Sequence, residues 1–277
     1  MTTVGDHGDG RHRLGDVVEL GRYPIHELAG AAGQALVARC RAHLASFGVA
    51  QLDSFLTADA VKKSLTAAEL RRASAWASDS VHNVWFEPVP EEPAEGDPLA
   101  LVQHSAKRAV AYDELPVDVP IRRLYESDEM TAFVSAVLQV DPLYRSADPL
   151  DALELAVFEP GGELGWHFDN SEFSVTVMLQ PAESGGEFDY VPATRTDGDP
   201  ATERIVGIIT GDEADVVRLP TSPGTLALFH GHHALHRVTP VEGGRPRINA
   251  VLTYGDRPGM VLSPLTQQLF YGRNVTR

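Results

Sequence analysis

Cysteine is almost missing from this chain. Cys40 stands alone among 277 residues, so no intrachain disulfide can form and nothing points to an oxidising compartment. Basic residues are also scarce: 23 Lys and Arg face 39 Asp and Glu, for a formal net charge of -16. Sequence-independent binding to nucleic acid or to an anionic membrane needs basic surface, so neither partner is expected. No stretch approaches the roughly 20 apolar residues of a membrane-spanning helix. The opening MTTVGDHGDGRHRLGD lacks the apolar core of a secretory signal. These absences leave a soluble, cytoplasmic protein handling small molecules as the expectation, with its oligomeric state unspecified.

The apolar content is substantial, 43% of residues, enough for one large core. Residues 1–20 read as a disordered lead-in and 21–277 as a single domain. Within it, helical periodicity runs from Leu28 to Phe47 and is stopped by Gly48. A second helix is expected over Thr57–Ala77, with Asp59 in its first turn, and a third over 127–139, opened by Ser127, Asp128 and Glu129. VHNVWFEPV (81–89) reads as a strand, and the acidic, Pro-rich EEPAEGDPL after it as a surface loop. The character changes at Asp148-Pro149. LELAVFEP, FSVTVMLQP, GEFDYVP, IVGIIT, ADVVRLP, GTLALFHG, ALHRVTPV and PRINAVLTY are short β-branched or aromatic runs cut by GG, SGG, DGDP, SPG and EGG turns. The expected architecture is a helical buttress over about 21–147, an antiparallel sandwich or barrel over about 148–262, and a C-terminal segment over 263–277.

GWHFDNSEF (165–173) carries the first chemical signal. His167 and Asp169 lie two residues apart, so on a strand both side chains leave the same face. Trp166 and Phe168 take the other face, which makes the polar pair part of a buried region, and buried polar groups need partners. A metal ion satisfies both if a distant strand adds a third ligand. HGHHALHRVTPV offers His230, His232, His233 and His236. The first three sit near a strand end, as surface residues or supports, while His236 opens the next run. Two histidines and a carboxylate on a rigid β scaffold form the facial triad, which leaves cis positions of an octahedral iron free. Arg247 follows eleven residues after His236, sharing a strand face with Asn249, Val251 and Thr253. An inward guanidinium beside a metal calls for a carboxylate to grip.

As a set, His167-x-Asp169, His236 and Arg247 resemble the iron(II)- and 2-oxoglutarate-dependent oxygenases, over roughly residues 151–256. The resemblance implies a mainly β fold with flanking helices, the double-stranded β-helix (jelly roll, cupin-like). It implies Fe(II) held by His167, Asp169 and His236, and 2-oxoglutarate held through its far carboxylate by Arg247. It also implies O2 as oxidant. Asn249 stands where the family has a small hydroxyl residue, as the second contact to the cosubstrate. GWHFDNSEFSVTVMLQPAESGGEFDYVP, HALHRVTPVEGGRPRINAVLTY and LFYGR are similar to one branch in particular, enzymes that hydroxylate or halogenate free amino acids such as lysine. Halogenases of that branch carry a small residue at the carboxylate position. Asp169 stands there in this chain, which implies a hydroxylase.

A free amino acid, a basic one such as lysine, is therefore the expected small-molecule substrate. Arg108 is a candidate for its carboxylate. Glu154, Asn170 and Thr253 are candidates for the pocket wall, and Tyr271 for a lid. Each has an ordinary reading beside the functional one: Arg108 as half of a surface pair with Lys107, Glu154 as a solvated strand residue, Tyr271 as part of a frayed tail. Two alternatives stand: an oxygenase acting on a peptide or carrier-bound amino acid, and a non-catalytic jelly-roll binding protein.

Overall fold

The computed structural model describes residues 14–93, 97–196, 198–199 and 201–275. Its helices are α1 (Ala31–Phe47), α2 (Ala58–Arg72), α3 (Pro120–Glu126), α4 (Asp128–Leu138), α5 (Thr202–Ile209) and α6 (Pro264–Tyr271). Local signals explain most of their ends. Gly48 closes α1 in a left-handed conformation with its N–H on the Leu44 carbonyl. The Thr57 and Ser127 side chains cap α2 and α4 by accepting from the N–H groups of Ala60 and Met130.

The strands are β1 (Val49–Leu52), β2 (Trp76–His82), β3 (Gln103–Val110), β4 (Tyr144–Arg145), β5 (Leu153–Phe158), β6 (Glu163–His167) and β7 (Ser174–Gln180). They continue with β8 (Ser184–Gly185), β9 (Phe188–Val191), β10 (Val217–Leu219), β11 (Leu226–Phe229), β12 (Leu235–Val238), β13 (Val241–Glu242), β14 (Arg247–Leu252) and β15 (Tyr254–Gly255). Eleven of them join one curled antiparallel sheet in the order β1-β11-β7-β14-β5-β3-β6-β12-β9-β10, with β2 on the edge of β3. The long β3 pairs with β5 through Arg108–Val110 and with β6 through Ser105 and Ala106, so it bridges the two halves of the curl. This is the jelly roll.

Alternation divides the sheet into an outer and an inner surface. Leu153, Leu155 and Val157 of β5, Val175 and Val177 of β7, and Ile248, Ala250 and Leu252 of β14 turn outward. There they form one core with Phe133, Leu36 and Leu124 of the helices. The intervening residues Ala156, Phe158, Thr176, Met178, Arg247, Asn249 and Val251 line a cavity inside the curl. Every residue of β5 is buried because both of its faces are covered.

Several expectations are corrected. Residues 14–20 of the expected disordered lead-in are packed, with Leu14, Val17 and Val18 buried in the helical core; residues 1–13 lie outside the described residues. The second helix ends at Arg72, and 76–82 is a strand paired residue for residue with β3, a tertiary contact that overrides local propensity. The strand expected over 81–89 stops at His82, because the Asn83 side chain accepts the N–H groups of Trp85 and Glu87 and turns the chain. IVGIIT lies largely in the helix α5, burying Ile205 and Ile208 three residues apart, a spacing too short to separate helix from strand beforehand. β1, β2 and β3 also come from the stretch read as a helical buttress.

Candidate metal centre

β6 and β12 are neighbours, and their register places His236 directly opposite His167. Each ring uses the same local device: Nδ1–H donates to the carbonyl two residues back, Gly165 for His167 and Ala234 for His236, both at 2.8 Å. That bond sets the tautomer and turns each Nε2 lone pair inward. Asp169 lies just past the end of β6, and its Oδ1 is 3.4 Å from both Nε2 atoms. The three ligand atoms all lie within 4.8 Å of one another. Donors at about 2.1 Å from one octahedral ion would stand about 3 Å apart in cis. The donor set therefore fits a divalent metal with little adjustment.

The electrostatics match. Burial, helped by the neighbouring His236, pushes the His167 pKa down to about 4, keeping its ligand nitrogen free of a proton. Burial would also lower His236, but the Asp169 carboxylate outweighs it and the net shift is upward. Burial alone would raise Asp169; the two imidazoles hold it well below the usual carboxylate range. Oδ2 of Asp169 accepts from the Ser174 hydroxyl, which leaves Oδ1 for the metal. Gly231 gives the carboxylate its room: a Cβ there would collide with Asp169 Oδ2. Neither Ser174 nor Gly231 was singled out by sequence, although the alternation of FSVTVML places Ser174 on the face shared with Thr176 and Met178.

Arg247 lies in the same cavity, 3% exposed, and its Nε has no hydrogen-bond partner among the described residues. Burial pushes its pKa down to about 10, with Glu187 opposing. An orphaned guanidinium facing a pocket of about 120 Å³ needs an anion, and a dicarboxylate that also reaches the metal is the fitting one. Asn249 lines the cavity beside it, as do Phe188, Leu219 and Thr221.

The proposed pocket residues are not all brought together. Glu154 is on the inner side of β5, buried, with Oε1 2.5 Å from Lys107 Nζ. Lys107 itself lines the cavity. Tyr271 is neither frayed nor a free lid: it is buried at the end of α6 and donates its hydroxyl to Asp151 at 2.8 Å. Arg108 is turned away, donating to the Ala75 carbonyl and lying 3.8 Å from Glu159. Asn170 is exposed at the bend after Asp169. Thr253 lies past β14, its backbone N–H on Ala152 and its carbonyl accepting from Tyr125. Trp166 and Phe168 pack with Val84, Val191 and Leu235, and Tyr190 is core. Of the extra histidines, His232 sets Nδ1 3.2 Å from the Asp169 carbonyl and His233 sets Nε2 3.0 Å from Glu172, so both support the ligand loop.

Fold and ligand set together define a 2-oxoglutarate-dependent dioxygenase with a mononuclear iron centre. A profile of the family described as Halogenase D (HalD) matches residues 105–263, more than half of the chain, and the chain belongs to that family. No curated protein sequence matches it. Among solved structures, it is similar to the non-heme alpha-ketoglutarate-dependent epimerase SnoN from nogalamycin biosynthesis, at 18% identity and a TM-score of 0.56 over 80% of this chain and 82% of that one. AviO1 from Streptomyces viridochromogenes Tue57 gives 19% identity and 0.55 over 80% and 96%. A prolyl hydroxylase from Trichoplax adhaerens, solved with a hypoxia-inducible-factor peptide, gives 14% and 0.50 over 80% and 90%. At these identities the likeness is one of fold.

Proposed function

We propose that the protein hydroxylates an unactivated C–H bond of a free amino acid, a basic one such as lysine. The observation that carries the hydroxylase half is Asp169, held by Ser174 with Oδ1 equidistant from both histidine nitrogens. Its carboxylate fills the coordination position that a halide would need, so the family name does not extend to halogenation here. Iron held by His167, Asp169 and His236 would supply O2 activation coupled to oxidation of 2-oxoglutarate to succinate and CO2, one oxygen atom going to succinate and the other to substrate. The protein's own residues do the rest. Arg247 and Asn249 anchor the cosubstrate, the Gly165 and Ala234 carbonyls hold the two imidazoles with Nε2 turned inward, and Phe188, Phe229 and Val238 keep water off the cavity wall.

The amino-acid half is supported by Lys107 on the cavity wall and the acids it faces. Lys107 and Glu154 present one cation and one anion side by side, a complement to a zwitterion, with Asp151 behind them as a second acid. We assign the substrate carboxylate to Lys107 rather than Arg108, because Lys107 lines the cavity and Arg108 turns to Ala75. The test is a screen of the twenty amino acids plus ornithine, free and as peptide amides, with iron(II), 2-oxoglutarate and chloride. Succinate and the mass gain of one oxygen are read. We expect hydroxylation of a free basic amino acid. Turnover of peptide amides alone would overturn the substrate assignment, and a chlorinated product would overturn the reading of Asp169.

A further inference from the structure

The loop after β2 carries a feature that the reaction outlined above does not use. Phe86 has φ 55°, a left-handed conformation that non-glycine residues avoid unless the surroundings hold them there. Asn83, fully buried, does the holding. Its Oδ1 accepts the N–H groups of Trp85 and Glu87, both at 3.1 Å. Its Nδ2 donates to the carbonyls of Glu87 and Leu99, at 2.8 and 3.2 Å. Val84 locks the same turn to the metal loop: it is buried, and its carbonyl accepts the N–H of Phe168, the residue between the two ligands.

This clamp aims the Phe86 ring at His167, with centroids 5.6 Å apart and planes at 68°. The Phe86 ring also stacks on His82 at 4.3 Å. His82 is fixed in turn. Its Nδ1–H donates to the Asn83 carbonyl at 2.9 Å and its Nε2 accepts from Ser105 Oγ at 2.6 Å. Ser105 Oγ also accepts the N–H of Gly165, whose carbonyl holds His167 Nδ1. A continuous path therefore runs from Asn83 through two aromatic rings to one metal ligand, all of it outside the barrel cavity.

We propose that Phe86, held by Asn83, is a positioning residue for the metal centre: its ring keeps the His167 imidazole from swinging off the metal and so sets how fast the metal is lost. Rotation of its ring is one route by which a histidine leaves a metal, and outer-shell partners that fix a ligand's orientation are typically worth about 10- to 100-fold in metal affinity. Phe86 is 36% exposed, so the fold should tolerate its replacement. The inference rests on His167 being a ligand, and the experiment separates the two.

The full chain is loaded with cobalt(II), and its release to excess chelator is followed by loss of the cobalt absorption, for the wild type, Phe86→Ala, Phe86→Tyr and Asn83→Ala. Thermal melting runs alongside. We expect about 10-fold faster release and broadened cobalt bands for Phe86→Ala, near wild-type release for Phe86→Tyr, and fast release for Asn83→Ala with a shift in Trp85 emission. Wild-type release by Phe86→Ala, or equally fast release by Phe86→Ala and Phe86→Tyr, would overturn the proposal. Failure of the wild type to take up cobalt would instead overturn the assignment of the ligands.

Discussion

The two candidate ligand histidines share a backbone device and the Asp169 carboxylate, and differ in the aromatic walls beside them. His236 is walled by barrel residues, Phe188 at 5.6 Å and Phe229 at 5.1 Å between centroids, both on strands that pair or pack within the sheet. His167 is walled by Phe86 and His82, at 5.6 and 6.4 Å, which reach it from the β2 edge and the loop beyond. One ligand is therefore supported by the same packing that holds the fold. The other depends on a turn whose conformation is set by a single buried amide. Support of the first kind cannot be lost without loss of stability, and support of the second kind can.

The largest expected effect comes from breaking what both rings share. Asp169→Gly should abolish hydroxylation and free a position for chloride on iron, checked by product mass and by chloride-dependent change in the metal spectrum. Arg247→Ala should come next, raising the KM for 2-oxoglutarate by on the order of 100-fold with metal uptake intact, since loss of one partner of a buried charge pair typically costs a few kcal/mol.

Phe229→Ala then tests the barrel side of the comparison. Phe229 is 3% exposed in a cluster with Val49, Tyr190 and Leu219, so truncation should destabilise the fold by roughly 3–5 kcal/mol in denaturant unfolding. Phe86→Ala should leave the unfolding midpoint nearly in place. Equal losses from the two would erase the distinction.

The smallest effect belongs to the carboxylates near Lys107. Burial first, then Glu154, pushes Asp151 from 3.8 up to about 7. A carboxyl raised in the folded state binds its proton more tightly there than in the unfolded chain. Its contribution is thus fully present below about pH 4 and lost as pH rises to about 7. Asp151→Asn should flatten that part of the melting-temperature profile between pH 4 and 8 and leave cobalt release at both histidines unchanged.

The comparison also shows what could be read before folding. His167, Asp169, His236 and Arg247 were legible because strand alternation and spacing fix which side chains share a face, and because that donor set has few chemical uses. The outer core of β5, β7 and β14 was legible for the same reason. Phe86 was not. VHNVWFEPV looks like a strand by composition, and only the Asn83 hydrogen bonds turn it into a clamp. Arg108 and Lys107 are adjacent in sequence, and nothing local says which enters the cavity. Pairing with β2 and β5 decides it.

The sequence by itself determined an antiparallel β core, the candidate trio His167, Asp169 and His236, and the inward guanidinium, since each follows from residue chemistry and a two-residue period, while the jelly-roll class came with the family resemblance. Only the tertiary structure decided that β3 bridges the two halves of the curl, that Ser174 and Gly231 shape the Asp169 carboxylate, and that the two ligand rings are supported so differently. Those are contacts between segments far apart in the chain, and a local pattern carries no information about which distant surface will close against it.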